Sequence, residues 1–339
     1  MKKLLNKLLR RNKEPLPSRI TSETVAQHRE QILAGGRKFK YPIQYARHKL
    51  VINAIIISFV SLIAVILLGW WQLYSVQNTS NFMYRITKVI PVPVANIDGQ
   101  SVLYSDYLMK YLSSIHYLEQ KEQLNLKTDD GKRQVEYVKQ QSMQDAISDA
   151  YAVKLAKKMN ISVSDVELRD FLKSQRQSSS GEISEQTYNA VILDYYGWSP
   201  SEYSHATRNK LLKQKVAYAI DSNAKKTVDT IVVALGSDPN ANLSNIAASY
   251  GKEATYGVSG WVPKDNQDGG LAIAASNLTK SQVSSIIKST TGDGYYFIRL
   301  IDINDDRVSY EYIQVPLTEF TKLLDDTLNA KKVEKYIKI

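Results

Sequence analysis

Residues 144–172 read QDAISDAYAVKLAKKMNISVSDVELRDFL, and this stretch predicts two consecutive helices. Apolar residues recur at helical spacing in its first half, so a long helix is expected over about 133–159. Asn160 is a typical stop, since asparagine tolerates the left-handed backbone that often ends a helix. Ser164 and Glu167 then match the capping-box pattern that opens a second helix. The centre of the chain is therefore predicted to be helical.

Similar signals surround this helix pair. Residues 94–97 predict a short strand, and the Asp98-Gly99 dipeptide after it is a turn signal. A helix with one apolar face is expected to follow that turn. Further along, SPSE (199–202) is a second capping box with proline at the first helical position, and it predicts a helix that reaches about residue 222.

Beyond about residue 225 the pattern changes to that of a mixed module. Alternating or continuous apolar residues predict three strands, at VDTIVVAL (228–235), GYYFIRLID (294–302) and SYEYIQVPL (309–317). The segment YGVSGWVP (256–263) is interpreted as a glycine-rich turn around a tryptophan. An amphipathic helix over 317–337 ends the chain. The predicted fold class is α+β, with a mainly helical part that brackets this module.

The longest apolar run, LVINAIIISFVSLIAVILLGWW (50–71), has 22 residues and no charged side chain. About 20 such residues cross a bilayer as a helix. Trp70, Trp71 and Tyr74 stand at its far end, as aromatic residues do at membrane–water interfaces. A transmembrane helix is predicted, because a buried helix of a soluble protein, the alternative, is seldom so long and so apolar. The 49 preceding residues and the missing A-x-A site argue against a cleaved signal peptide.

The excess of basic residues lies before this run. Residues 1–49 hold 13 Lys/Arg and 3 Asp/Glu, a net charge of +10, and the whole chain holds 44 and 34, so residues 50–339 carry 31 of each sign. Flanks rich in Lys and Arg stay in the cytoplasm, which places residues 72–339 outside. A neutral outer part gives no reason to bind nucleic acid. The basic segment is interpreted as a topology signal and lipid contact, and MKKLLNKLLRR (1–11) as either an amphipathic helix on lipid or a solvated tail.

Composition and motifs exclude several kinds of active site. The chain has no cysteine, so disulfides, thiolate metal sites and cysteine nucleophiles are impossible. It contains no phosphate-binding loop, no GxGxxG and no GxSxG motif. The histidines lack metal-ligand spacing; they are His28, His48, His116 and His205. Neither a metal nor a cofactor is expected, and without an ATP site any binding and release of a partner is passive.

The helical part resembles the N-terminal domain of SurA-type chaperones, which membrane-anchored PpiD-like and PrsA-like foldases share. VANIDGQSVLYSDYL (94–108) is similar to that family's opening pattern V-x-NG-x-x-I-x-x-S-x-F, and 144–172 is similar to its central helix pair. Asp98 departs from the usual asparagine, and Asp145 and Ser148 interrupt the apolar run. The resemblance covers about 94–222 and implies a domain that holds unfolded polypeptides.

The mixed part, about 225–315, resembles a parvulin peptidyl-prolyl isomerase domain. VDTIVVAL is similar to the family's xxHILV, YGVSGWV to GGDLGWF, and GYYFIRLID to GYHIIKLLD. In this comparison Thr230 replaces the first histidine of the family and Tyr296 the second, and Glu253 is the candidate for an acidic group. The resemblance implies that the fold is kept and the catalysis lost. The alternative is that Tyr296 serves as a hydrogen-bonding substitute in an active isomerase.

The two resemblances imply one organisation. It comprises a basic cytoplasmic segment (1–49), a transmembrane helix (50–71), a stalk (72–90), a helical chaperone domain (91–224), an inserted parvulin-like domain (225–316) and a C-terminal helix (317–339) that packs back on the chaperone domain. In this family, clients lie in a cradle between the helical and isomerase domains. The expected partners are unfolded or nascent secreted polypeptides and membrane lipid, with the translocation channel as a further candidate.

Tyrosine is the abundant aromatic residue, with 22 copies against 6 phenylalanines. Its large rigid ring and polar tip suit contact with many client sequences. The alternative for each tyrosine is packing in a half-buried position. The candidate client contacts are Tyr104, Tyr107, Tyr111, Tyr117, Tyr195, Tyr196, Tyr203 and Trp261. Three function classes stay open: an extracytoplasmic chaperone without isomerase activity, an active isomerase, and a scaffold for envelope machinery.

Overall fold

The computed structural model describes residues 20–40, 42–178, 181–238 and 240–339. The basic stretch 1–11, interpreted as an amphipathic helix or a tail, lies outside these residues. The chain forms two compact units, Met1–Gln72 and Leu73–Ile339.

The described part of the N-terminal unit forms two helices. Helix α1 spans Ser22–Lys40, α2 spans Pro42–Trp70, and a π-helical turn, Trp71–Ser75, extends α2. Within them, Lys49–Ser75 is the one stretch of the described chain that is long and apolar enough to cross a membrane, and its central side chains are exposed. The predicted apolar helix is therefore present, and it ends at Ser75, four residues after the end of the apolar run 50–71.

The second unit contains a helical module, which comprises α3–α8 together with the C-terminal helix α12 (Glu319–Asn329). Both predicted capping boxes form, at Ser164 and at Ser199. Asn160 ends α5 in the left-handed conformation, with φ 54°. The helices are α3 (Asn81–Val89), α4 (Tyr104–Gln120), α5 (Asp129–Met159), α6 (Asp165–Ser174), α7 (Glu185–Tyr196) and α8 (Pro200–Ile220).

A small antiparallel sheet closes one side of this module. Its strands are β1 (Pro93–Ile97), β2 (Gln100–Leu103) and β9 (Val333–Lys335), in the order β2-β1-β9. Asp98 and Gly99 have φ of 48° and 87°, the pair of positive values that a tight type I′ hairpin needs. Strand β9, near the end of the chain, thus pairs with β1, the first strand of the chain's described residues. A separate hairpin joins β3 (Gln177–Ser178) to β4 (Gly181–Glu182).

Helix α12 (Glu319–Asn329) completes the core of the helical module. The helix predicted over 317–337 is shorter than expected: Lys331 has a positive φ of 53°, and residues 333–335 form β9, which pairs with β1. The ring of Phe320 lies 5.9 Å from the ring of Tyr151 on α5. The hydroxyl of Thr327 donates to the Tyr151 hydroxyl over 3.2 Å. The C-terminal helix therefore packs against a residue of α5 that precedes it in the sequence by more than 160 positions.

Part of the segment 72–90, predicted as a stalk, is folded into this core. Helix α3 packs against α4, and its Met83 and Thr87 are buried. The stalk interpretation is wrong for 81–89, because Met83, Ile86 and Thr87 follow helical spacing and give α3 an inner face.

The rest of the unit is a sheet module, α9–β8. Its sheet is antiparallel with the order β5-β8-β7-β6, and it confirms the mixed α+β class. Strand β7 contains the predicted strand 294–302 and is buried on both faces, with Tyr295 and Phe297 in one core and Tyr296 in another. The elements are α9 (Ser222–Ser237), α10 (Leu243–Ser249), β5 (Thr255–Pro263), α11 (Leu271–Ser276), β6 (Ile287–Lys288), β7 (Gly294–Ile303) and β8 (Arg307–Pro316).

Two predictions in this module are wrong. Residues 228–235 form part of helix α9, since Val228, Ile231 and Leu235 are buried at spacings of three and four residues, the period of a helix. Residues 256–263 form most of strand β5, with a bulge between Val258 and Trp261 in place of a turn. The predicted strand 309–317 is confirmed as part of β8, which lies between β5 and β7.

Candidate functional site

The hydroxyl of Tyr296 is held by a carboxylate. It donates to Oδ2 of Asp293 over 2.6 Å, and Thr291 donates to the other oxygen over 2.7 Å. Burial, and then the hydrogen bond and charge of Asp293, raise the pKa of Tyr296 above its ordinary value. Burial acts to raise the pKa of Asp293 as well, but hydrogen bonds from Thr291, Tyr296 and Ser289 outweigh it and hold that pKa below its usual value.

A second buried tyrosine repeats this arrangement on the neighbouring strand. Tyr310 on β8 donates to Oδ2 of Asp268 over 2.7 Å, and its pKa is raised by burial and then by Asp268. The ring of Tyr312 lies 5.6 Å from Tyr296 and 6.3 Å from Tyr310. Together Tyr296, Tyr310 and Tyr312 form a tyrosine cluster on one face of the sheet.

The tyrosine cluster has little capacity for acid–base chemistry near neutral pH. A phenol with a raised pKa stays protonated, and an aspartate with a lowered pKa stays ionised, so neither group is matched to proton transfer at pH 7. Hydrogen bonds of 2.6 and 2.7 Å to carboxylates instead fix the two rings in place. The two aspartates were missed by sequence reasoning because they lie in loops, although Asp293 directly precedes β7.

The structure does not bring Thr230 or Glu253 to this cluster. Thr230 is exposed on α9, where its hydroxyl donates to the carbonyls of Lys226 and Thr227, both at 2.9 Å. Glu253 is exposed and accepts a hydrogen bond from the Thr227 hydroxyl over 3.0 Å. Helix α9 packs on the Tyr295 side of β7, which is the opposite face of the sheet from the tyrosine cluster. Thr230 therefore stands on a helix and not on the strand for which it was predicted.

Three of the predicted client-contact tyrosines are in the core. Tyr104 and Tyr107 are 0 % and 1 % exposed, and Tyr111 is buried beside them. The Tyr104 hydroxyl donates to the carbonyl of Leu73 over 2.9 Å. Their rings pack in series, Tyr104 on Tyr107 at 5.8 Å and Tyr107 on Tyr111 at 6.2 Å. These three rings are thus core residues in this conformation, and they offer almost no surface for the predicted client contact.

Two aromatic pairs at the surface of the helical module are called the aromatic patch: Tyr117 with Tyr195, and Tyr196 with Trp198. The three tyrosines are exposed and Trp198 is half-buried. Tyr196 stacks on Trp198 at 5.0 Å, and Tyr117 lies 6.5 Å from Tyr195. Trp198 was missed by sequence reasoning, and the signal for it was the aromatic run YYGW (195–198).

Tyr203 borders the aromatic patch and is half-buried. Its ring lies 6.5 Å from Trp198, and its hydroxyl is 2.8 Å from that of Tyr188. Trp261 stands apart from these residues on β5, the edge strand of the sheet module, and is exposed. Of the predicted contacts, the exposed ones are thus Tyr117, Tyr195, Tyr196 and Trp261.

A cleft of about 790 Å³ lies between the helical module and the sheet module. One wall carries Phe171 of α6 and Lys210 of α8, and the other carries Ile273 of α11, Thr290 and Arg307. Apolar and charged side chains thus share both walls. The cleft can accommodate a segment of polypeptide, whereas a site for a specific small molecule typically has few, convergent polar groups in an apolar cavity.

Side chains of helix α8 connect the helical module to the sheet module. The amide nitrogen of Gln214 donates to the Thr290 carbonyl over 2.9 Å. The hydroxyl of Tyr218 donates to the Gly294 carbonyl over 2.6 Å, and its ring lies 5.0 Å from Tyr295.

Within the described residues, no group of three or more histidine, aspartate and glutamate side chains is placed to hold a metal ion.

Comparison with known proteins bears on the helical module. The model of a SurA-like N-terminal domain family matches residues 43–217, which are 175 of the 339 residues. No parvulin domain is detected by the same comparison. No curated protein matches the chain. The family match extends from the second residue of α2 into the last turn of α8, which is more than half of the chain, and the chain therefore belongs to the SurA-like N-terminal domain family.

Proposed function

We propose that this chain is a membrane-anchored extracytoplasmic chaperone that holds unfolded secreted or envelope polypeptides. The family match carries the proposal, because a SurA-like N-terminal domain suggests a chaperone-type role. In this proposal the chaperone domain comprises 91–224 and the returning segment 317–339, which contains α12 and β9. Residues 225–316 are then an inserted, parvulin-like domain. The packing of α12 on α5 supports that division, since it joins the two ends of the helical domain.

Two surfaces supply the client contacts in this proposal. An unfolded polypeptide offers many different apolar side chains, so its binding surface must be exposed and tolerant. The aromatic patch has these properties, because tyrosine and tryptophan give large contact areas at a low entropic cost. The cleft between the modules supplies a second, more polar surface.

The inserted domain contributes structure and surface, not isomerisation. Rotation about an X-Pro bond has a barrier of about 20 kcal/mol, and the parvulin resemblance implies a polar network with two histidines to lower it. The sheet module contains no histidine. Its tyrosine cluster offers phenols already engaged with carboxylates, which supports the inactive interpretation.

The apolar helix supports the proposed anchor. Lys49–Ser75 is long enough to span the hydrocarbon layer of a bilayer. The +10 net charge of residues 1–49 supports a cytoplasmic N-terminus and an outer location for the two modules. The translocation channel, from which unfolded polypeptides emerge, is the proposed neighbour in the membrane.

The proposal is tested with the full chain in lipid nanodiscs and a chemically unfolded, aromatic-rich client. Light scattering is expected to show suppressed client aggregation at near-stoichiometric amounts of the chain, against empty nanodiscs as the control. NMR exchange spectroscopy on proline peptides is expected to show the uncatalysed rate. Unchanged aggregation together with one stable binding partner in pull-downs would instead support a scaffold, and catalysed exchange would support an isomerase.

A further inference from the structure

Helix α3 presents an apolar face that no other described residue covers. Phe82 and Val89 are 67 % and 82 % exposed, and they stand seven residues apart, on the same side of the helix. Ile90, directly after the helix, is also exposed. Single exposed apolar residues are common on protein surfaces, but two on one face of a short helix and a third directly after it form a patch.

The opposite side of α3 is fixed to the helical module. Met83 and Thr87 are buried against the core. The Tyr84 hydroxyl donates to Glu202 over 2.7 Å, and Lys88 forms an ion pair with the same carboxylate at 3.0 Å. The exposed face of α3 is therefore held rigidly by α8 and cannot turn inward to bury Phe82.

The chain itself limits how far α3 can lie from the candidate membrane span. The span ends at Ser75 and α3 begins at Asn81, so five residues connect them. Six Cα–Cα steps reach at most about 20 Å when fully extended. The span of 27 residues is about 40 Å long as a helix, against about 30 Å for the hydrocarbon layer, so it ends in or just beyond the headgroup region.

The charge on α3 suits the same location. Its sequence NFMYRITKV contains two basic residues and no acidic one. Arg85 lies between Phe82 and Val89 on the exposed side, and the described residues contain no acidic partner within ion-pair distance of it. A helix with an apolar face and basic neighbours binds at the boundary between lipid headgroups and acyl chains.

We propose that α3 lies on the outer surface of the bilayer, with Phe82 and Val89 inserted among the lipids and Arg85 at the phosphate groups. The proposal rests on the membrane anchor of the proposed function. Because α3 is rigidly joined to α4 and α8, this second contact sets the orientation of the helical module relative to the membrane.

Site-directed fluorescence tests the proposal cleanly, because the chain has no native cysteine. Single cysteines at Phe82, Val89, Ser58 and Tyr137 are labelled with a polarity-sensitive dye in full-length chain. The protein is reconstituted in phosphatidylcholine–phosphatidylglycerol vesicles with and without brominated phosphatidylcholine. Labels at 82 and 89 are expected to show blue-shifted emission and to lose fluorescence to the brominated lipid. The label at Tyr137, an exposed position on α5, is expected to show neither effect.

The label at Ser58, inside the candidate span, separates the two ways in which the proposal can fail. Quenching at 58 without quenching at 82 and 89 would overturn the placement of α3 while the anchor stands. No quenching at 58 would remove the anchor and the α3 placement together. Equal quenching at 82, 89 and 137 would also overturn the proposal, since it would mean unspecific adhesion of the whole outer part.

Discussion

The carboxylate of Asp221 accepts a hydrogen bond from the backbone N–H of Thr318 over 2.7 Å. Asp221 lies where the chain leaves α8 for the sheet module, and Thr318 lies where it returns to α12. The same carboxylate accepts from the N–H of Glu319 at 3.0 Å and from Ala224 at 2.9 Å, where it caps α9. One buried side chain thus connects the two chain segments that link the helical module to the sheet module.

Replacing Asp221 is expected to loosen this junction. In Asp221→Ala, three backbone N–H groups lose their acceptor, and we expect the free energy of unfolding to fall by about 2–4 kcal/mol. Urea unfolding of the full chain in detergent, followed by the near-ultraviolet signal of its aromatic residues, measures this. Asp221→Asn keeps one acceptor oxygen and should lose clearly less. Equal stability of the wild type and the alanine variant would contradict the role given to Asp221.

A second prediction concerns Tyr296, the residue that replaced a histidine in the parvulin resemblance. Tyr296→Phe should leave the rate of cis/trans exchange in proline peptides unchanged, because its hydroxyl is committed to Asp293. It should lower the free energy of unfolding by about 1.5–3 kcal/mol, the typical value of one hydrogen bond to a charged group. A slower exchange rate in the variant than in the wild type would show that the phenol participates in catalysis.

The pH dependence of stability gives a third prediction, centred on Glu202. Burial acts to raise its pKa, but hydrogen bonds from Ser199, Tyr84 and Lys88 lower it from 4.5 to about 2. A carboxylate with a depressed folded-state pKa stabilises the fold above its unfolded pKa and loses that contribution as pH falls through the folded value. The contribution should therefore be complete above about pH 5 and disappear between about pH 4.5 and 2.

Glu202→Gln provides the measurement for this effect. The variant should be less stable than the wild type at pH 7, and the difference should shrink as the pH approaches 2. Thermal unfolding at several pH values tests both statements. Lys88→Met is the matched control, since it removes one partner and leaves the capping box of α8 intact. A constant difference between Glu202→Gln and wild type from pH 7 to pH 2 would argue against the titration of Glu202.

Close packing in the tyrosine cluster gives a fourth prediction. A Cβ atom on Gly257 of β5 would lie 2.4 Å from the ring of Tyr312, its cross-strand partner. Gly257→Ala should therefore destabilise the chain by about 1–3 kcal/mol through overpacking. In the double variant Gly257→Ala/Tyr312→Ser the new methyl group has space, so the cost of the alanine should be much smaller there. An equal cost of Gly257→Ala in both backgrounds would contradict the proposed steric conflict.

Short-range sequence patterns predict many of the helices and strands of this chain. Contacts between distant residues decide the structure of segment 228–235 and the junction between the modules. The capping boxes at Ser164 and Ser199 need only four neighbouring residues, and both form. The segment 228–235 is rich in β-branched residues, which favour strands, but its buried positions follow a helical period. The Asp221–Thr318 hydrogen bond joins residues 97 positions apart, and no short-range sequence pattern predicts it.

For the tyrosines of the helical module, too, the sequence predicts the helix but not what its tyrosine side contacts. Tyr104, Tyr107 and Tyr111 are spaced three and four residues apart, so the sequence places them on one side of a helix. Whether that side faces the core or a client depends on α5 and on Leu73, which lie elsewhere in the chain. Asp268 and Asp293 were out of reach for a related reason, because loop residues carry no periodic signal that relates them to a strand.

The last prediction separates these two kinds of tyrosine by mutation. The double variant Tyr195→Ser/Tyr196→Ser removes two rings from the aromatic patch, and these residues are 48 % and 43 % exposed. We expect weaker suppression of client aggregation and a melting temperature close to that of the wild type, since surface substitutions usually change stability by less than about 0.5 kcal/mol. Tyr107→Ser, in the core, should instead unfold at a clearly lower temperature. Tyr137→Ser is the matched exposed control on α5, and it should change neither property. If the patch variant suppresses aggregation as well as the control does, the clients bind elsewhere, and the cleft between the modules becomes the surface to mutate.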